Sequence, residues 1–453
     1  MGVEFEGSET VFLLRTTIRR AYISPFFTGV FMQNPIITAI ILAGGQGRRL
    51  HPLTETRSKP AVPIGGKFRL IDIPISNCLH HNIRSIWVLT QFASESLHRH
   101  IFQTYRMDSF SGGFVSVLAA AQTVDNKGWY QGTADAVRKN MANFRKAGDT
   151  ILLLSGDHLY RMDFKKFLNF HFAHDADVTL GVVPVERSRV HELGVLKMDA
   201  DSQVVDFVEK PKVDSVIDEF VIPPQLRLKE PFKSSDPSRT HVGSMGVYIF
   251  NKKVLFDLLD GFEFDDFGKQ IIPAAISKYR LFAYPFNGYW EDIGTIGSFF
   301  NAHMEMTQPN PPFNFYDQRQ PIFTRARFLP AAKFTDSKID SSIICEGSMI
   351  ENATVSSSVL GVRSVIRSGS RLSRVIFMGA DFYEEEAGGG MQLGIGKNCV
   401  IENAILDKDV RIGNNVRLVN KEKIREGGRD GVLVRDGIIV VPKAVQIPDG
   451  FEF

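Results

Sequence analysis

The chain has 453 residues, 43% hydrophobic and 23% charged, and its formal net charge is +2. That length exceeds what one hydrophobic core normally serves, so two or three domains are expected. The near-neutral balance excludes a general nucleic-acid binder, which needs a concentrated basic face, and no run reaches the roughly 20 apolar residues of a membrane helix.

Residues 1–33 set Arg15, Arg19 and Arg20 among hydroxyl and apolar side chains, a faint likeness to an organelle transit peptide. Glu4, Glu6 and Glu9 are acidic, however, and Met32 lies just ahead of the first convincing strand. The expectation is a disordered or mis-started extension. From Ile36 strands and helices alternate. Ile36 to Leu42, Ile86 to Thr90, Ile151 to Ser155, Val178 to Val183 and Val247 to Phe250 are short apolar runs, while 94–105 and 133–144 read as helices. Such alternation predicts a mostly parallel sheet covered by helices on both faces, with ligands at the carboxyl ends of the strands. The first domain is expected over 34–308.

Gln308 to Pro312, with Pro321 and Pro330, cannot be continuous helix and predicts a linker over 309–333. Beyond it, aliphatic residues recur every five or six positions: Ile344, Ile350, Val355, Leu360, Ile366 and Leu372, then Ile395, Ile401, Leu406, Ile412 and Leu418. Small and turn-forming residues fill the gaps. This hexapeptide period predicts a parallel β-helix over 334–453, since a β-sandwich would alternate with period two. The stretch from Asp381 to Gly390, including the charge run Glu384 to Glu386, interrupts the repeat and is expected to be a solvated loop. Cys78, Cys345 and Cys399 have no paired spacing, which argues against a disulfide framework or zinc site and favours a reducing compartment.

Chemistry concentrates at a few places. Gly44-Gly45-Gln46-Gly47 follows the first strand and is followed by Arg48, Arg49 and Lys59. A glycine-rich turn lets backbone N–H groups approach phosphate. The third glycine of a dinucleotide fingerprint and the Lys-Ser/Thr ending of a P-loop are both missing. A structural turn alone would not need the cations behind it. Asp157 ends an apolar strand and suits either a cap for the helix starting near Asp163 or a divalent metal, which takes one or two carboxylates beside phosphate oxygens. Asp292, between Trp290 and Gly294, offers the second carboxylate. Asp266-Phe267-Gly268 imitates a kinase motif, but no His-Arg-Asp loop precedes it. His80 and His81 are adjacent and point to different faces, which gives no metal geometry.

At this point LAGGQGRRL (42–50), SKPAVPIGGKFRLIDIPISNC (58–78), WYQGTADAVR (129–138), SGDHLYRMD (155–163), FVEKPK (207–212), GSMGVYIF (243–250) and YWEDIGT (289–295) together identify a resemblance. The chain resembles ADP-glucose pyrophosphorylase, that is glucose-1-phosphate adenylyltransferase, and is closer in texture to the cyanobacterial and plant enzymes. The resemblance covers nearly everything from residue 36 onward. It implies a Rossmann-like α/β nucleotidyltransferase domain followed by a left-handed parallel β-helix that regulates and oligomerises.

The resemblance also implies roles for individual residues. Gly44, Gly45 and Gly47 would line the ATP phosphates, with Arg49 and Lys59 neutralising the triphosphate. Gln91 and Gly132 would contact the adenine end, and Trp129 and Tyr130 would shape the pocket. Asp157 and Asp292 would bind Mg²⁺. Gly194, Glu209, Lys210 and Ser244 would hold glucose 1-phosphate, with Lys210 on its phosphate. The family's effector cations match Arg57, Arg69, Arg99, His100, Arg327, Lys421 and Lys443, while Ser85 stands where the family often has lysine. The implied effectors are 3-phosphoglycerate as activator and phosphate as inhibitor, in a homotetramer that binds no nucleic acid and no membrane. A cytoplasmic or plastid-stromal location follows from the same resemblance.

Elementary chemistry agrees with those roles. The nucleophile, a sugar phosphate oxygen, is already anionic near neutral pH, so catalysis is a matter of juxtaposing and neutralising two polyanions rather than of a nucleophilic triad. The rival reading is a non-catalytic regulatory subunit, which tends to lose charge or geometry at the positions of Arg49 and Lys59. A nucleotidyltransferase using UTP or GTP is a weaker rival, against the extended motif match.

Overall fold

A computed structural model of the chain describes residues 36–108, 110, 112–120, 128–223, 236–261, 263–384 and 390–453. The expectation for residues 1–33 therefore lies outside the described residues, as do Glu385 and Glu386 of the acidic run.

The first half is built on β1 (Ile37–Ala43), β2 (Ser85–Thr90), β3 (Phe114–Ala119) and β4 (Thr150–Ser155), which run parallel in the order β4-β1-β2-β3. Further strands are β5 (His158–Tyr160), β6 (Val178–Glu186), β7 (Gly194–Met198), β8 (Val204–Glu209), β9 (Arg239–Asn251), β10 (Leu281–Pro285) and β11 (Trp290–Asp292). Among the described residues these form a nine-stranded sheet, in which β9 runs antiparallel beside β4 and β6 and connects to β7 and β8. Strands β5 and β11 pair separately with each other.

The apolar runs are continuous rather than alternating because both faces of the sheet are buried. In β1, Ala39, Ile41 and Ala43 join one core cluster, and Ile40 joins the other. Helices α1 (Asp72–His80), α2 (Glu95–Thr104), α4 (Phe164–Ala173) and α6 (Ile296–Met306) contribute to the first cluster, and α3 (Thr133–Arg138) and α5 (Lys252–Asp260) to the second. The single helix expected over 133–144 is broken. Asn140 leaves helical geometry, donating its side-chain amide to Ala136 O and Tyr130 Oη, both at 2.8 Å, and only a helical turn Met141–Phe144 follows. A polar side chain that competes for a backbone carbonyl interrupts the ladder.

No helix or strand is formed between α6 and the strand Lys333–Thr335 among the described residues. There Phe315 stacks on Phe68 at 4.5 Å, and Phe313 is buried. Beyond lies a parallel β-helix. The periodic aliphatics stack in three register-matched ladders: Ile350, Ile366, Ile395, Ile412 and Ile447; Val355, Leu372, Ile401 and Leu418; and Ile344, Leu360, Phe377, Leu406 and Val441. Each side of the coil thus donates one inward side chain per turn. The longer strands are β12 (Arg371–Phe377) and β13 (Val400–Leu406). An antiparallel excursion, which the periodicity did not announce, follows as β14 (Gly427–Arg429), β15 (Val432–Arg435) and β16 (Ile438–Val441).

The outward residues Ile376, Ile405 and Val440 lie side by side on β12, β13 and β16 and belong to the same buried cluster as α6 of the first domain.

Candidate active site

The glycine-rich turn leaves β1 at the carboxyl edge of the sheet, where β4 also ends. Gly156 N–H donates to Leu42 O at 3.0 Å, which ties the two strand ends together. Asp157 follows, and the short ladder of β5 with β11 sets Asp292 directly opposite His158. The alternative role for Asp157 as a helix cap is not realised, because Asp163 itself caps α4 and accepts from Lys166 N–H at 3.1 Å.

Lys59 stands between the two carboxylates. Its ammonium lies 2.7 Å from Asp157 Oδ2 and 2.8 Å from Asp292 Oδ1, and Arg49 Nη2 is 3.8 Å from Asp292 Oδ2. Burial opposes the ammonium's charge, but the two carboxylates outweigh it and raise the Lys59 pKa. Burial likewise pushes Asp292 up, and Lys59, His158 and Arg49 outweigh that and hold its carboxyl well below the usual range. Ligand atoms of Asp157, His158 and Asp292 lie within 4.8 Å of one another, an acidic group able to hold a metal ion. A cavity of about 340 Å³ opens beside Asp157, lined by that residue with Gly45, Gly47, Arg48, Arg49 and Lys59 among others. Gly44 sits behind it against Gln91. Gln91 in turn clasps Tyr130, accepting from its N–H at 2.9 Å and donating to its carbonyl at 3.4 Å. Trp129 is 57% exposed, and Gly132 leads into α3.

A second group gathers around Glu209. Gly194 and Gly268 leave room for its carboxylate, since a Cβ on either would stand 2.6 or 2.5 Å from Glu209 Oε2. Burial raises the Glu209 pKa. Lys210 takes up a left-handed backbone conformation (φ 50°) that lysine rarely adopts, and its ammonium is 3.5 Å from Glu209 Oε1. On β9, Ser244 Oγ is 3.2 Å from Tyr248 Oη and 3.3 Å from the donating Gly246 N–H. Gly246 packs against Ser155 and His158, so this group adjoins the first. Sequence reasoning missed His158, although it neighbours Asp157. Asp266 of the Asp266-Phe267-Gly268 triplet caps a helical turn, accepting from Lys269 N–H at 2.9 Å, and Gly268 packs against Glu209.

The expected effector cations divide. Arg57 is buried and donates Nη2 to both oxygens of Asp407, at 2.7 and 2.8 Å. Arg69 donates to Ser96 O at 2.8 Å, and burial lowers its pKa to about 10. His100 Nε2 is 2.6 Å from Asp72 Oδ1, Arg327 donates to Lys67 O at 3.2 Å, and Lys443 pairs with Asp381 at 2.8 Å. These groups feel one another's charge, and Lys408, which also pairs with Asp381, shares the field of Arg69 and Arg327. Arg99 instead pairs with Glu95 on an exposed face of α2, and Lys421 lines a separate recess with Asn420, Arg429 and Phe453. The lysine the structure brings to the cluster is Lys408, at a coil corner beside Arg57's partner Asp407. Ser85 opens β2. His80 and His81 diverge, donating to Pro321 O and Asn77 O at 2.7 Å each.

Residues 38–309 match the family model described as nucleotidyl transferase, and residues 327–451 match that of the GLGC left-handed parallel beta-helix domain. Among the described residues, no helix is long and apolar enough to cross a membrane.

Proposed function

Because the chain belongs to the nucleotidyl transferase family and carries the GLGC left-handed β-helix behind that domain, we propose that it is a catalytic glucose-1-phosphate adenylyltransferase of the cyanobacterial and plant type. The observation that carries this reading is Lys59 held at 2.7 and 2.8 Å between Asp157 and Asp292 beside a glycine-lined cavity. A phosphate oxygen of glucose 1-phosphate attacks the α-phosphorus of ATP. The bond from that phosphorus to the bridging oxygen breaks, pyrophosphate leaves, and ADP-glucose remains.

The chain's residues bind and neutralise. Gly45, Gly47 and Arg49 receive the triphosphate, Lys210 takes the sugar phosphate, and Glu209 with Ser244 holds glucose hydroxyls. Asp157 and Asp292, both hard oxygen donors in a partly open site, fit Mg²⁺. Bound there, the ion would supply charge stabilisation to the phosphates. Retention of Arg49 and Lys59 in working geometry favours a catalytic over a purely regulatory chain. We further assign the Arg57, Arg69, His100, Arg327, Lys408 and Lys443 cluster to binding of small anions such as 3-phosphoglycerate and phosphate, in a homotetramer.

The test is to express the chain alone and measure pyrophosphate release from ATP and glucose 1-phosphate, with UTP and CTP as controls. Asp157→Asn should lower turnover on the order of 10³-fold while the fold is kept. A chain inactive unless mixed with a paralogue would overturn the catalytic reading, and preference for UTP or CTP would overturn the substrate.

A further inference from the structure

The strand that carries Asp292 runs through Ile293, Gly294 and Thr295 directly into α6. Gly294 N–H donates back to Asp292 O at 2.8 Å. The start of α6 is therefore the support on which this carboxylate stands. Backbone donors in a helix's first turn need outside partners, and two of these have them. Ser298 N–H donates to Thr295 Oγ1 at 3.1 Å, a cap internal to the helix. Gly297 N–H donates to Asp436 Oδ2 at 2.9 Å, a residue of the β-helix domain.

Asp436 is built into place. It forms, with Gly437, the turn between β15 and β16, and their φ values of 52° and 81° suit the two-residue hairpin that Asp-Gly favours. Asp436 N–H donates to Glu426 Oε1 at 3.1 Å and Gly437 N–H to Arg425 O at 3.0 Å, so the turn is held from behind. The approach is close: a Cβ at Gly297 would stand 3.2 Å from Asp436 Oδ2, so a side chain there would push the carboxylate outward. Beneath the turn, Ile438 and Val440 share a buried cluster with Ile296, Phe299 and Phe300 of α6, and Arg374 lies over the Phe300 ring at 5.4 Å.

We propose that Asp436 is a positioning residue for Asp292, an inference that rests on the proposed function: by anchoring the first turn of α6, the β-helix hairpin fixes the carboxylate that faces Lys59 and a bound cation. A negative side chain suits the positive end of a helix. Ångström-scale displacement of a catalytic group from productive geometry costs about 10²-fold in rate. A residue that touches neither substrate nor metal thereby makes the reaction depend on the second domain.

The experiment uses the full chain with Asp436→Ala and Asp436→Asn. Mn²⁺ binding without substrates is read by electron paramagnetic resonance, alongside the Mg²⁺ dependence of turnover, the KM for glucose 1-phosphate and the Tm. Asp436→Ala should weaken Mn²⁺ binding about 5-fold and lower kcat about 10-fold. The KM for glucose 1-phosphate should stay within about twofold and the Tm within about 3 °C of the parent. Asp436→Asn keeps an acceptor and should recover most of the loss. Parent-like Mn²⁺ affinity in Asp436→Ala overturns the inference, as does a kcat loss matched by a large fall in Tm and not rescued by Asn. In either case the parent's activity would leave the functional reading standing. A parent that neither binds Mn²⁺ nor releases pyrophosphate overturns both.

Discussion

Replacing Lys59 by methionine removes the ammonium but keeps the length of its buried stem, and leaves Asp157 and Asp292 facing each other. Their ligand atoms are at most 4.8 Å apart. At an effective dielectric of about 20, that separation costs at least about 3.5 kcal/mol when both are ionised. Arg49, 3.8 Å from Asp292 and half exposed, offsets only part of it. Two consequences follow in opposite directions. Turnover should fall by about 10²- to 10³-fold, because the proposed function sets this cation against the triphosphate. Metal binding without nucleotide should tighten by about 10- to 100-fold, because a divalent ion no longer competes with the ammonium for the same carboxylates.

The pH signature changes sign as well. In the parent, Asp292 sits below its ordinary pKa, so its contribution is present above the unfolded value and is lost as pH falls through the lower folded one. In the variant the two carboxylates repel, which costs stability at neutral pH and returns it as pH falls and one of them takes up a proton. Mn²⁺ titration followed by electron paramagnetic resonance, with Tm measured between pH 4 and 7, reads both effects. Unchanged or weaker Mn²⁺ affinity in Lys59→Met would refute the idea that this lysine and a metal share one site.

Lys210→Ala should raise the KM for glucose 1-phosphate at least about 10-fold and that for ATP less than about 2-fold; equal changes in steady-state assays with both substrates would remove Lys210 from the sugar-phosphate site. If the proposed anion cluster binds 3-phosphoglycerate as an activator, Lys408→Ala with Lys443→Ala should abolish that activation, whereas Lys421→Ala should leave it intact. Dose–response curves that put the loss on Lys421 would reverse that assignment. His303 lies in the core, accepts from Gly65 N–H at Nε2 (3.2 Å) and donates Nδ1–H to Phe299 O (2.8 Å), and burial lowers its pKa to about 4. Its neutral form is the folded one, so its stabilisation is full above about pH 6.5 and falls by up to about 3 kcal/mol on going to pH 4. The parent's Tm should therefore drop more than that of His303→Gln between pH 7 and 5, and parallel drops would contradict this account.

Much of the fold was legible in one dimension because its determinants are periodic. Continuous aliphatic runs such as Ile151 to Ser155 mark strands buried on both faces. The spacing of Ile350, Val355, Leu360 and Ile366 carries the β-helix, since a coil of fixed length must return an apolar side chain inward at each side. The helix that periodicity predicts over 133–144 breaks at Asn140, whose amide bonds a carbonyl and a tyrosine hydroxyl instead of continuing the helix. The strands β14 and β15 gave no signal in that period because they leave the coil, which β16 rejoins beside β13.

At the site, the residue types that chemistry requires were visible in sequence: a glycine turn with cations behind it, and two carboxylates each following an apolar or aromatic stretch. Their arrangement was not. Asp157 and Asp292 meet only through the register of a three-residue ladder, and Lys59, on the helical turn Lys59–Ala61, comes between them only through contacts distant in sequence. Gly268 beside Glu209, Lys408 rather than Lys421 beside Arg57, and Asp436 on the first turn of α6 are likewise products of packing between distant segments. A sequence states which groups are present and how often they recur; which of them come within 3 Å depends on long-range contacts whose partners no local pattern encodes.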